Sequence, residues 1–353
     1  MLALVKTGPG PGLELKDVPP PGIGINDVLI KVRKTGICGT DLHIEGWDPW
    51  AAGAITPPLV VGHEFVGEIA EVGSNVSDFH PGEIVSGEGH VVCGRCRHCL
   101  AGRRNLCAHA IGLGVGRDGA FAEYVSVPPQ NLIPVPDGVS MEAASMTEPA
   151  AVALHALKRA GGGLVGETVV VFGAGPIGLM VAQWARVMGA ARIVLFDLVP
   201  EKLAMARQLG FDLVRDARSC DPVEKINQLT GGQGAEVCVE AAGVPATLNR
   251  AIAAARVGGR VVILGNPSAD VTLPAPLISQ AMRRELDLLG AWNSSFSAAG
   301  NNDDWRVVLA AVASGAIDLD CLVTHRVPLK DALAALLMMR DQSEFFAKVL
   351  IEP

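Results

Sequence analysis

The run TVVVFGAGPIG, residues 168–178, constrains the fold of this 353-residue chain more than any other stretch. TVVVF is short, apolar and rich in β-branched residues, which predicts a strand buried on both faces. Six residues follow at once, Gly173-Ala174-Gly175-Pro176-Ile177-Gly178, and then a helical stretch, LMVAQWARVMGA. A second strand segment, RIVLFD, ends on Asp197. G-x-G-x-x-G alone is a weak signal. Set between a strand and a helix, with an acid closing the next strand, it marks a dinucleotide site. Gly173 permits the tight turn, Gly175 lets backbone approach a pyrophosphate, and Gly178 lets the helix pack on the strand. The helix start offers unpaired N–H groups and a positive dipole end to the phosphates. Asp197 can accept hydrogen bonds from ribose hydroxyls and would repel a 2′-phosphate, so NAD rather than NADP is expected. Lys202 on the next helix and Gly265 after a later strand join Gly173, Gly175, Pro176, Ile177, Gly178 and Asp197 as cofactor-binding candidates.

Further strand segments at DLV (212–214), AEVCVE (235–240), RVVILG (260–265) and LDLLG (286–290) bring the apolar strands to six. Helical stretches separate several of them, so residues 151–291 predict an α/β domain with a doubly wound, parallel six-stranded sheet. Residues 1–150 differ in texture. They hold many Gly and Pro and short β-type runs such as DVLIKV, VVGHEFVGEIAEV and FAEYVSV, which suits a compact β domain. Residues 292–353 are expected to return to that first domain, with helices near 303–314 and 329–340, a strand LVTHRV and a last strand FAKVLIE.

Net charge excludes one class of partner. At −8, with its densest basic group (Arg95, Arg97, Arg103, Arg104) confined to one cysteine-rich loop, the chain does not read as a nucleic-acid binder. No apolar run approaches the ~20 residues that cross a bilayer. MLALVKTGPGPG breaks too early for a signal peptide, so an unexported, cytoplasmic protein without a membrane partner is expected. Eight cysteines in such a chain do not suggest disulfides.

Cys93, Cys96, Cys99 and Cys107 form C-x2-C-x2-C-x7-C within a lobe at 89–108. Four thiolates close a zinc site completely, so this one reads as structural and His98 inside the loop is not needed. Cys220, Cys238 and Cys321 read as packing residues. A catalytic metal, with an open position, needs ligands from elsewhere. Cys38 in the Gly-flanked turn TGICGTDLH, His63 and Glu64 in VVGHEFVG, and Glu148 in MTEPAAVALHAL are the candidates.

GICGTDLH, GHEFVGEIAEVGSNV, the four-cysteine loop, GAFAEYVSVP, EPAAVALHA and GAGPIG together resemble the zinc-dependent medium-chain alcohol dehydrogenase family over essentially the whole chain. The resemblance implies a GroES-like β-rich catalytic domain beside a Rossmann domain, with two Zn2+ per chain. It makes Cys38, His63 and Glu148 the catalytic zinc ligands, and Cys93, Cys96, Cys99 and Cys107 the structural ones. Glu64 sits behind the metal and exchanges with its open position; which glutamate ligates at rest stays open. Thr40 and His43 resemble the family's proton relay, and a homo-oligomer, dimer or tetramer, is implied.

The small-molecule substrate would be a secondary alcohol. The first 125 residues are most similar to the family's threonine-oxidising branch, with His90 placed where that branch carries a histidine near substrate. GAWNSSFSAAGNNDDW (290–305) is instead similar to the polyol and polyol-phosphate branch, with Asn293, Ser294 and Ser295 as hydroxyl-friendly residues. Threonine is ranked first, a polyol second and a simple diol third.

Overall fold

The computed structural model describes residues 1–297 and 303–353, and the chain divides into two compact units. The first comprises Met1–Glu148 with Ser295–Pro353, and the second Pro149–Ser294. Part of the 290–305 segment, residues 298–302, lies outside the described residues.

The second unit is built on Thr168–Phe172, whose five residues are all buried. Apolar character without alternation is what a strand covered on both faces requires. It pairs in parallel with Arg192–Asp197 on one side and Ala235–Glu240 on the other. Leu213–Asp216, Ala255–Ile263 and Asp287–Gly290 complete a six-stranded sheet in which the chain starts centrally and winds outward both ways. Phe172 and Phe196 stack across neighbouring strands with ring centroids 5.6 Å apart. The helices Pro176–Val187, Pro200–Gln208, Pro222–Leu229 and Pro245–Ala254 each begin on a proline. The fixed φ and missing N–H of proline cost nothing at that position and define where each helix starts.

The first unit carries a seven-stranded sheet in which Val28–Gly36 is central. Glu64–Val72, Tyr124–Val127 and the last strand, Lys348–Glu352, all pair antiparallel with it. Leu350 lies opposite Gly36 and Ile351 opposite Thr35, so the chain end forms an interior strand of the first unit. That strand is buried through Ile351 and packs Val349 and Ile351 into a core with Leu4, Ile37, Ile44 and Phe121.

Short helices depart from the sequence reading. Cys38 does not sit in a plain turn: it is the N-cap of the helix Gly39–Gly46. The Cys38 N–H donates to Asp41 Oδ2 at 2.8 Å, and the Cys38 side chain accepts from the third residue of the helix. This reciprocal cap starts a helix that glycine and a short polar run otherwise disguise. Cys321 is likewise not a packing residue; it is exposed, whereas Cys238 is buried within the second unit and Cys220 is half-buried.

Candidate active site

Three donor atoms converge in the first unit. Cys38, His63 and Glu64 each place a ligand atom within 4.8 Å of the other two. Cys38 comes from the helix cap, His63 from the residue before the strand Glu64–Val72, and Glu64 from its first residue. Glu148, second residue of the helix Thr147–Arg159, is outside this set of mutually close donors but lies near enough to act electrically on His63 and Glu64.

The surroundings are buried and acidic. Burial, reinforced by Glu64, pushes the Glu148 carboxyl up to about 7. Burial also raises Asp41 to about 6, against the pull of His63. Asp41 Oδ1 lies 3.9 Å from His63 Nδ1 and has no hydrogen-bond partner among the described residues. Burial opposes a charge on His63, yet Cys38, Asp41 and Glu148 outweigh it and hold the ring well above the ordinary histidine value.

One internal cation answers this acidity. Lys348 is buried and its Nζ donates to Glu64 Oε2 and, at 3.1 Å, to Ile37 O. Burial would lower its pKa, but Glu64 and Cys38 raise it further. A Cβ at Gly36 would overlap Glu64 Oε2 and crowd the Lys348 chain, so a glycine at this point of the central strand makes room for the pair. Sequence reading missed Lys348, which stands in FAKVLIE as one polar residue of a strand.

The four-cysteine loop forms a separate cluster. Its Sγ–Sγ separations run from 3.5 Å (Cys96–Cys99) through 3.6 Å (Cys93–Cys107) and 3.9 Å (Cys96–Cys107) to 4.0 Å (Cys93–Cys99). Main-chain N–H groups of Cys96 and His109 donate to Cys93 and Cys107 sulfur, both at 3.4 Å.

In the second unit Gly173 takes φ +102°, and a Cβ there would come to 2.9 Å from Ala242 N. A Cβ at Gly178 would overlap Gly173 O, so the helix packs against the turn only as glycine. Gly175 caps the helix Pro176–Val187, and a Cβ on it would meet nothing within 4 Å. Asp197 is fixed rather than loose: Oδ2 accepts from Ala174 N at 2.7 Å, and Oδ1 from Leu198 N and Val199 N at 2.7 and 2.9 Å. Lys202 is half-buried on the next helix. The Gly265 N–H donates to Glu240 O at 2.9 Å, and a Cβ there would overlap Gly243 N.

The alcohol dehydrogenase GroES-like domain model matches residues 24–137, and the zinc-binding dehydrogenase model matches residues 176–314. An L-threonine 3-dehydrogenase of Rhizobium etli is 42% identical over 331 residues, 94% of this chain and 93% of its own length. The chain belongs to the zinc-dependent medium-chain alcohol dehydrogenase family. Galactitol-1-phosphate dehydrogenase from Escherichia coli superposes with a TM-score of 0.91 at 29% identity, over 100% of both chains. A zinc-binding dehydrogenase from Sinorhizobium meliloti 1021, bound to NADP, gives 0.88 at 34% identity over 100% of this chain and 99% of its own. The dehydrogenase thus pairs a GroES-like unit with a Rossmann sheet and is an oxidoreductase acting on CH–OH.

Both donor sets in the dehydrogenase fit zinc. A tetrahedron with Zn–S of about 2.3 Å has S–S edges of about 3.8 Å, and the four thiols straddle that value. Thiol, imidazole and carboxylate at the second site are the donor types zinc takes. Its surplus of buried acids, with one Asp41 oxygen unpartnered, is what a divalent cation neutralises.

Thr40 Oγ1 lies 3.8 Å from Cys38 Sγ. His43 stands one helical turn on, with a half-exposed side chain and Nδ1 2.6 Å from Asp48 Oδ2. Asp48 also caps the helix Pro49–Ala54 through Ala51 N, which fixes the carboxylate that holds His43. His90 is paired through Nδ1 with Glu88 Oε1 at 2.9 Å, a partner sequence reading did not find. Burial disfavours the charged ring, but the Glu88 bond and the charges of Glu88 and Glu148 raise its pKa overall. Asn293 takes a positive φ of 56° and Ser294 is buried in the second unit, whereas Ser295 belongs to the first and donates its N–H to Asp304.

Proposed function

We propose that this dehydrogenase is a cytoplasmic L-threonine 3-dehydrogenase that oxidises the side-chain alcohol of L-threonine to 2-amino-3-oxobutanoate with NAD. The observation that carries the substrate choice is His90, whose ring Glu88 holds through Nδ1 at 2.9 Å in a turn packed against His63; burial opposes its cationic form, and Glu88 and Glu148 favour it. A substrate with a carboxylate near its reacting alcohol finds its counter-charge there. The 42% identity to L-threonine 3-dehydrogenases supports the same choice.

Cys38 and His63 would hold the catalytic zinc with Glu148 or Glu64, and Cys93, Cys96, Cys99 and Cys107 the structural one. Bound zinc supplies Lewis acidity to the alcohol oxygen, and the nicotinamide accepts the hydride. The chain's own part is to move the hydroxyl proton. Thr40 Oγ1 takes it first, and His43, three residues along the same helix face and open to water, passes it out. Asp48 holds the His43 ring through Nδ1. Lys348 keeps Glu64 paired, which favours Glu148 as the resting third ligand.

In the second unit the Gly173–Gly178 turn receives the pyrophosphate. Asp197, tethered by three main-chain N–H groups, meets the adenosine ribose and selects NAD over NADP. The edge strand Asp287–Gly290 pairs on one side only among the described residues and exposes Leu288, which supports homo-oligomer formation along that edge.

A second reading has its own observation. The full-length superposition on galactitol-1-phosphate dehydrogenase, with the hydroxyl-rich 290–305 segment, favours a polyol or polyol phosphate, and a simple diol ranks after it. A reduction assay with NAD and NADP over L-threonine, galactitol 1-phosphate, free polyols and 2,3-butanediol separates them. Threonine with NAD is expected to give the highest kcat/KM. A higher value for the phosphate overturns the threonine reading, and equal low rates on all overturn both.

A further inference from the structure

Glu88 is a buried acid that the chemistry above leaves without a task. It follows the strand Ile84–Gly87 and is 4% exposed. A single oxygen, Oε1, accepts from both the main-chain N–H of His90 and His90 Nδ1, each at 2.9 Å. The turn between them is clamped from outside. Asn131, fully buried, donates Nδ2 to Glu88 O at 2.9 Å and to His90 O at 2.8 Å, and its main-chain carbonyl accepts the Glu88 N–H at 2.8 Å. A Cβ at Gly89 would lie 3.3 Å from His63 Cβ, so this turn packs directly against the Cys38–His63–Glu64 cluster.

We propose that Glu88 is a positioning residue for substrate selection: through Nδ1 it fixes the His90 ring so that Nε2 addresses the anionic group of the alcohol substrate. The proposal rests on the reading of an anionic alcohol as substrate. The charged groups that act on the ring include Glu88 and Glu148, which favour the imidazolium, and His63, which opposes it. Glu88 touches His90 and not the reacting atoms, so its loss should weaken binding of an anion more than it slows chemistry. A purely structural role would harm all alcohols alike.

The test is a four-enzyme cycle on the full-length, zinc-loaded protein: wild type, Glu88→Gln, His90→Asn and the double variant, with L-threonine and 2,3-butanediol as paired substrates. Glu88→Gln is expected to raise KM for L-threonine about 10- to 100-fold with kcat changed less than about 3-fold, the size of one charge-assisted bond lost. Its effect on 2,3-butanediol should be at least about tenfold smaller. In the His90→Asn background it should add less than about 2-fold, because Glu88 acts through His90. Equal losses on both substrates, or additive effects of the two substitutions, overturn the proposal. If Glu88→Gln fails to fold, Glu88→Asp takes its place, and the same split between substrates is expected at smaller size. If wild type oxidises galactitol 1-phosphate but not L-threonine, the threonine reading falls, and the same cycle with the phosphate and galactitol decides Glu88. If wild type oxidises only uncharged alcohols, the proposal falls with the reading beneath it.

Discussion

The two zinc-type donor sets of this dehydrogenase share a cysteine chemistry and little else. The thiols of Cys93, Cys96, Cys99 and Cys107 come from 15 consecutive residues and are satisfied by one another and by neighbouring main-chain N–H groups. Cys38, His63 and Glu64 come from a helix cap and a strand start, and they sit among Asp41, Glu148 and Lys348, all buried. A closed set of four like donors needs only local spacing. A set that must keep a position for substrate needs a charge environment, and only the folded sheet can supply it.

The largest expected effect separates the two by exchange of one sulfur. Cys38→Ser should cut turnover by about a thousandfold or more, roughly 4 kcal/mol of transition-state stabilisation, while zinc content falls from two to one per chain and the melting temperature changes little. Cys96→Ser should also leave one zinc per chain, but lose stability, because structural zinc binding is itself folding energy. Zinc analysis, kinetics and thermal melts on both variants check this. A Cys96→Ser protein that lost activity alone, with Cys38→Ser losing stability alone, would reverse the two assignments.

How much of this could be read before the fold was known follows the same division. The four-cysteine spacing and the strand–glycine–helix run are local, and both led directly to zinc and a nicotinamide dinucleotide. Cys38 and His63 are legible as ligands, but the sequence puts Glu148 ahead of Glu64 as the third, whereas Glu64 is the one mutually close to both; the helix behind Cys38 reads as a turn because its cap is a cysteine and its first residues are Gly, Thr and Asp. Lys348 was invisible. It pairs with a residue 284 positions away, and a lysine in a final strand reads as a solvent-facing residue until the sheet order puts that strand beside Gly36. Glu88 and Asn131 were missed for the same reason, since nothing in SGEGH shows that Oε1 folds back onto His90.

A smaller effect tests whether the internal cation belongs to one site only. Lys348→Met should leave Glu64 buried without its partner and cost about 3–5 kcal/mol. Most of that loss should return in Lys348→Met with Glu64→Gln, which removes the orphaned charge as well. The four-cysteine zinc should stay bound throughout, since the sulfurs there interact with neither residue. Urea unfolding with zinc analysis of the three proteins reads both outcomes. Equal destabilisation of the single and double variants would show that Lys348 acts through packing instead.

The smallest effect concerns proton uptake after chelation. Burial raises Glu148 to about 7 and Asp41 to about 6, and His63 also lies above its ordinary value. A carboxyl whose folded pKa is raised binds more protons folded than unfolded, so its protonated form favours the fold. That contribution is fully present below about pH 4.5 and is lost as pH rises to about 7. His63 has the same sign, its stabilisation being lost as pH climbs through its raised value. Chelated wild-type enzyme should therefore lose stability relative to chelated Glu148→Gln between pH 4.5 and 7, by on the order of 2 kcal/mol. Zinc should abolish the difference in slope by favouring the ionised acid. Urea midpoints across that window, with and without chelator, measure it. A gap independent of pH in the chelated proteins would mean that Glu148 does not share the electrostatic environment of Cys38, His63 and Glu64.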